Sequence, residues 1–158
     1  MVGRLEGTWV GRGLGVYPPR VSPFEYTEIL TVKPTAKPHV WEFRSATKSA
    51  QLGKAMHVES GFIRAPPNGD IELVASHPFG LVEISSGACQ SEHRVELKAT
   101  EKSLTRTGSG TAPHTTGLRR VYELSEDGES LRFIMDMSTS DHAELQNHLL
   151  CELRRHTL

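Results

Sequence analysis

The sequence predicts an all-β chain folded as a ten-stranded antiparallel up-and-down barrel, with at most a short helical turn. Three observations carry this. No segment shows a sustained helical period, while apolar and polar residues alternate over short stretches throughout. The stretches are separated by tight turns rich in Gly, Pro, Asn and Asp. Ten such stretches are too many for one flat sheet without exposed edges, and closure into a barrel removes those edges.

The strands follow in order. "GTWVGRGL" opens the barrel, with Trp9 plugging one end and glycines where the backbone bends. "FEYTEILTV" comes after a proline-rich loop, and "HVWEFRSAT" after "KPTAKP". "AMHVESGFIR" stops at "APPNGD", which cannot continue a ladder. "DIELVAS" and "LVEISSG" are joined by "HPFG"; in the former, Ile71, Leu73 and Ala75 share a face. "RVELKATEKSLT" is long enough to bend. "LRRVYELS" and "SLRFIMDMS" flank "EDGE", whose Asp-Gly accommodates positive φ in a hairpin. "HLLCELRR" is last, and the segment before it, "SDHAELQN", is the one place for a short helix, capped by Ser140 or Asp141. Residues 1–158 read as one domain without repeats or low-complexity tracts. Ten strands enclose more space than side chains fill, so a cavity is expected.

Composition narrows the function. Eighteen basic residues against 19 acidic ones leave no field to draw the chain onto nucleic acid or an anionic membrane. Two cysteines without a C-x-x-C pair argue against a structural zinc site or a disulfide framework. No apolar run is long enough to span a membrane and no signal peptide is evident, so a reducing compartment is expected: the cytoplasm, with the nucleus also open. Nucleophile-elbow, H-E-x-x-H and dinucleotide-binding motifs are absent.

Eight histidines remain as candidates for chemistry. His148 opens the apolar run Leu149, Leu150, Cys151 and Leu153, near Met135 and Met137 on the preceding strand. Read from the residues alone, it is either a polar group at a strand start or a reactive centre. Strict alternation places His148 opposite Leu149, Cys151 and Leu153, so it turns inward only if the strand begins with a bulge or His148 still belongs to the turn. His77 reads as a turn residue before Pro78. His57 and Glu59 read as a solvent-facing pair, with acid–base chemistry as the other reading. Cys151 reads as a small buried filler.

Gly-x-Trp-x-Gly-x-Gly followed by "GVYPP" and "PFEYTEIL" resembles the nitrobindin family. The resemblance continues in order through "HVESGFIR", "IELVASHPFGLVEISSG", "MDMSTS" and "NHLLCELRR", nearly the whole chain. It implies a barrel akin to the fatty-acid-binding proteins that holds ferric haem b at one end, with iron ligated by a histidine near the C-terminus. His148 matches that ligand and is the expected catalytic, cofactor-binding and metal-binding residue, with the sixth iron position open or water-filled. The implied activities are nitric oxide binding and isomerisation of peroxynitrite to nitrate. Where family members read Tyr-Pro-Thr, with the threonine against the haem, this chain reads Tyr17-Pro18-Pro19 and carries one residue more before Pro23. Pro19 is thus the matching position at the haem edge, altered in chemistry, and no polar distal residue is carried across. The altered loop supports the alternative reading of a non-enzymatic barrel for a fatty acid or other apolar ligand. An interaction block binding neither haem nor lipid is the third. A barrel without edges is expected to be a monomer or a weak homodimer.

Overall fold

The computed structural model describes residues 1–17 and 21–157. Eleven strands are present among them: β1 (Gly7–Tyr17), β2 (Val21–Pro34), β3 (Val40–Ser49), β4 (Ala55–Arg64), β5 (Ile71–His77), β6 (Leu81–Ser91), β7 (Arg94–Thr100), β8 (Leu104–Arg106), β9 (Thr115–Leu124), β10 (Ser130–Thr139) and β11 (His142–His156). All pairings are antiparallel between neighbours, β1 pairs with β11, and the β5–β6 pairing completes the ring. β7 and β8 occupy one barrel position. The early part of β6 pairs with β8 (Leu81↔Arg106) and the later part with β7 (Ser86↔Lys98), with a 3-10 turn at Glu101–Ser103 between them. The result is the expected ten-stranded antiparallel barrel, its seventh strand bent as its length suggested.

The helical turns lie elsewhere than expected. One is Glu101–Ser103 and the other is Val2–Leu5; "SDHAELQN" is not helical. There β10 and β11 form a hairpin in which Thr139 pairs with His142 and Met137 with Gln146. An isolated turn of helix is marginal in water, and the ladder along β10 offers the same backbone groups better partners.

One barrel end is packed shut. Trp9 is fully buried, donates its indole N–H to the Leu5 carbonyl at 2.9 Å, and lies under the Arg155 guanidinium 4.2 Å from its ring centre. Val2 and Leu5 fold over this end, and Leu30, Phe43, Leu73, Leu97, Leu131 and Leu153 fill it. The opening glycines let strands approach. A Cβ on Gly11 would run into the Glu152 carbonyl of β11, and one on Gly13 into the Tyr26 ring that lies across it. Backbone cannot yield as a side-chain tip can, so Gly11→Ala is expected to cost about 2 kcal/mol or more. Thermal unfolding checks this, and an unchanged midpoint would refute the close-approach account.

Candidate functional site

The other end of the barrel is open and holds a cavity of about 220 Å³. Its walls are mostly apolar: Phe24 and Tyr26 on β2, Leu118 on β9, Phe133, Met135 and Met137 on β10, and Leu149 on β11. Below it runs a belt of buried polar groups that separates the cavity from the packed end: Glu28, Ser45, Glu59, His77, Glu83, Ser85 and Arg120.

His148 lies on the cavity wall. The register explains how. Met135 pairs with Leu149 but Asp136 pairs with Asn147, leaving His148 as an extra residue between two ladder rungs. This bulge breaks the alternation, so His148 and Leu149 both line the cavity while Cys151 and Leu153 keep the inward face. His148 Nδ1 lies 2.9 Å from the Val16 carbonyl oxygen of β1. A carbonyl only accepts, so Nδ1 carries the proton and Nε2 keeps its lone pair. The Tyr17 ring meets the imidazole edge-on at 5.6 Å, and the Tyr17 hydroxyl donates to Thr139 Oγ1 at 3.0 Å. Burial is the largest influence on the His148 pKa and lowers it; the Val16 hydrogen bond acts the other way, and nearby His57 adds to the lowering. The ring is therefore a neutral, oriented imidazole at physiological pH, the form that binds a metal.

Across the barrel, β4 and β5 supply a second group of polar side chains. The expectation that His57 and Glu59 face solvent is corrected here: both point inward, and Glu59 is buried. Alternation along β4 puts them on the face of Ile63, and Arg120 holds Glu59 there. His77 ends β5 as a buried cavity residue and not as a turn residue.

Arg120 is fully buried and was not singled out in the sequence. The guanidinium donates to both oxygens of Glu59 (2.8 and 2.7 Å) and both of Glu83 (2.8 and 2.7 Å). Burial alone would raise both carboxyl pKa values; the charge of Arg120 overrides it and holds both below the usual range. Its signal was in the pattern, since Arg120 shares the inward face of β9 with Leu118, Tyr122 and Leu124. Arg119, on the outer face, instead bridges Glu96 and Asp136 at 2.9 and 2.8 Å.

Glu28 is buried in the same belt and accepts a hydrogen bond from Ser45 at 2.8 Å. Burial pushes its pKa up to about 6; the Ser45 bond opposes this and the charge on Glu59 adds to it. The folded pKa is thus above the unfolded one, so the stability from a protonated Glu28 is full below about pH 4.5 and is lost as pH rises through 6. Glu28→Gln is expected to stabilise the protein by about 2 kcal/mol at pH 8 and by almost nothing at pH 4. Denaturant unfolding at the two pH values reads this directly, and an equal effect at both would contradict it. Cys151 is buried as expected, and burial pushes its thiol pKa up, so it is an inert thiol. Pro19 lies outside the described residues.

The barrel is closed at one end and holds at the other an apolar cavity with an oriented neutral imidazole on its wall, an arrangement with room for a flat apolar cofactor. The family model for the THAP4-like, heme-binding beta-barrel domain matches residues 1–155, and the chain belongs to that family. It is 36% identical over 152 residues to peroxynitrite isomerase 1 of Mycolicibacterium paratuberculosis, covering 96% of this chain and 90% of that one. It is 34% identical over 153 residues to peroxynitrite isomerase 1 of Mycobacterium tuberculosis strain H37Rv, with the same coverage. The crystal structure of Rv2717c from M. tuberculosis superposes with a TM-score of 0.85 at 32% identity, covering 99% of this chain and 95% of that one. No helix among the described residues is long and apolar enough to cross a membrane.

Proposed function

We propose that this chain binds ferric haem b in the open end of the barrel through His148 and isomerises peroxynitrite to nitrate, with nitric oxide as a further ligand of the same site. The observation that carries this is the His148 bulge. It turns an imidazole into an apolar cavity with Nδ1 fixed by Val16 and Nε2 without a hydrogen-bond partner among the described residues. The residues fit the cofactor: the walls are apolar, the ring is neutral, and the mouth is open to small anions. Family membership and the full-length likeness to two peroxynitrite isomerases support the reaction.

When bound, the haem supplies the metal centre at which the O–O bond of peroxynitrite is rearranged and at which nitric oxide is held. The chain's part lies in binding and shielding. Val16 holds the tautomer and aims Nε2, Tyr17 braces the ring, and Met135, Met137 and Leu149 would give the cofactor an apolar wall beside His148. The cavity walls would confine an anion held there and limit its contact with bulk water. Stopped-flow decay of peroxynitrite, with nitrate and nitrite quantified, tests this. Haem-loaded protein should accelerate decay in proportion to its concentration and shift the product toward nitrate. Decay no faster than with the haem-free chain would overturn the proposal and leave the apolar-carrier reading, which the same cavity would serve.

A further inference from the structure

We infer that His57, Glu59 and His77 form a second metal site, for a divalent first-row transition ion, on the cavity wall across the barrel from His148. Three donor atoms converge there. His57 Nε2 lies 3.1 Å from His77 Nδ1 and 3.8 Å from Glu59 Oε2, and His77 Nδ1 lies 3.5 Å from that same oxygen. The triangle they form has a circumradius of about 2.0 Å, so an ion set about half an ångström out of its plane lies about 2.1 Å from each donor, within the bond lengths of zinc to imidazole nitrogen and carboxylate oxygen. The donors also sit at about the edge length of a tetrahedron around such an ion, so no side chain has to move far. Two imidazoles and one carboxylate with an open fourth position is the donor set of hydrolytic zinc centres and of non-haem ferrous sites.

The groups around the triad behave as outer-sphere partners. The His77 Nε2–H donates to Glu83 Oε2 at 3.2 Å, which presents the Nδ1 lone pair to the triad. Arg120 grips both oxygens of Glu59 and fixes that carboxylate. Charge favours a cation despite the guanidinium: Glu59 and Glu83 are two carboxylates against one Arg120, leaving one unmatched negative charge in a dry belt. Phe79 covers the pair from outside, its ring centre 5.6 Å from that of His57 and 5.3 Å from that of His77. The cavity side stays open through His57, whose side chain is one-third exposed. The ion would place positive charge on the wall facing the proposed haem, beside any anion entering the mouth.

The test uses the full chain as purified with its haem, cleared of loose metal by a chelator and dialysed against micromolar Zn²⁺, with bound zinc counted per chain. X-ray absorption at the zinc edge reads the ligands without interference from haem iron. The expected result is one zinc per chain, with two imidazoles and a carboxylate in its shell. Affinity should fall at least tenfold in His57→Gln and in His77→Gln and stay unchanged in His148→Ala, which separates this site from the haem reading. His57→Gln alters a part-exposed side chain and decides the matter even if His77→Gln fails to fold. No zinc bound below 100 μM (roughly 5.5 kcal/mol of binding), or binding that survives both substitutions, overturns the proposal.

Discussion

His148→Ala is expected to weaken haem binding by at least a hundredfold and to abolish the sharp Soret shift on hemin titration, while leaving the barrel folded. The reasoning is local. His148 is the extra residue of a bulge, half-buried, with one hydrogen bond to Val16 and an edge contact with Tyr17. Removing the ring forfeits little packing, but it takes away the imidazole that the bulge turns toward the cavity mouth. The remaining apolar walls would still accept a porphyrin weakly by burial alone, so a broad, unshifted absorbance at high hemin is consistent with the account. Retention of wild-type affinity would move the ligand to His57 or His77, which share the cavity.

Arg120→Met is expected to cost about 3–5 kcal/mol of folding stability at neutral pH. The guanidinium is the shared counter-charge of Glu59 and Glu83, both buried, and without it both carboxylates stay buried with no cation beside them. The sign with pH follows. In the wild type both folded pKa values lie below the unfolded one, so their stability is present above about pH 4.5 and lost at lower pH. In the variant burial dominates and the carboxylates prefer to be protonated, so the penalty grows as pH rises and shrinks toward pH 4. Denaturant unfolding at pH 4 and pH 7 should therefore show the gap between the proteins narrowing in acid. A constant gap would mean that Arg120 acts by packing and not by charge.

Much of the barrel was legible because its strands obey a period of two. β4 runs over Ala55–Arg64 as its alternation and the "APPNGD" stop indicate, and the Asp-Gly hairpin holds Gly128 at a φ of 78°. The start of β11 was not legible. A helix-cap pattern over Ser140–Asn147 competes with pairing along β10, and only the partner strand decides. The direction of His148 was posed correctly as a question of a bulge, but a bulge is a property of two strands in register, which one strand's sequence does not contain. Arg120 and Glu83 were missed for a different reason. Charged residues read as surface unless counted against the face they share, and Arg120 sits between Leu118 and Tyr122 on the inner face of β9. His77 was assigned to the turn on the strength of Pro78, although β5 runs one residue further to include it. The belt that sets the floor of the cavity therefore came from the fold, while the choice of His148 came from motif.

The most direct measurement is the low-frequency resonance Raman spectrum of the ferrous, haem-loaded protein. The account predicts an iron–histidine stretching band in the wild type, absent in His148→Gly and restored there by added imidazole, with a shift when the imidazole is ¹⁵N-labelled. A band that persists unchanged in His148→Gly would show that another residue holds the iron, and the bulge in β11 would lose the role given to it here.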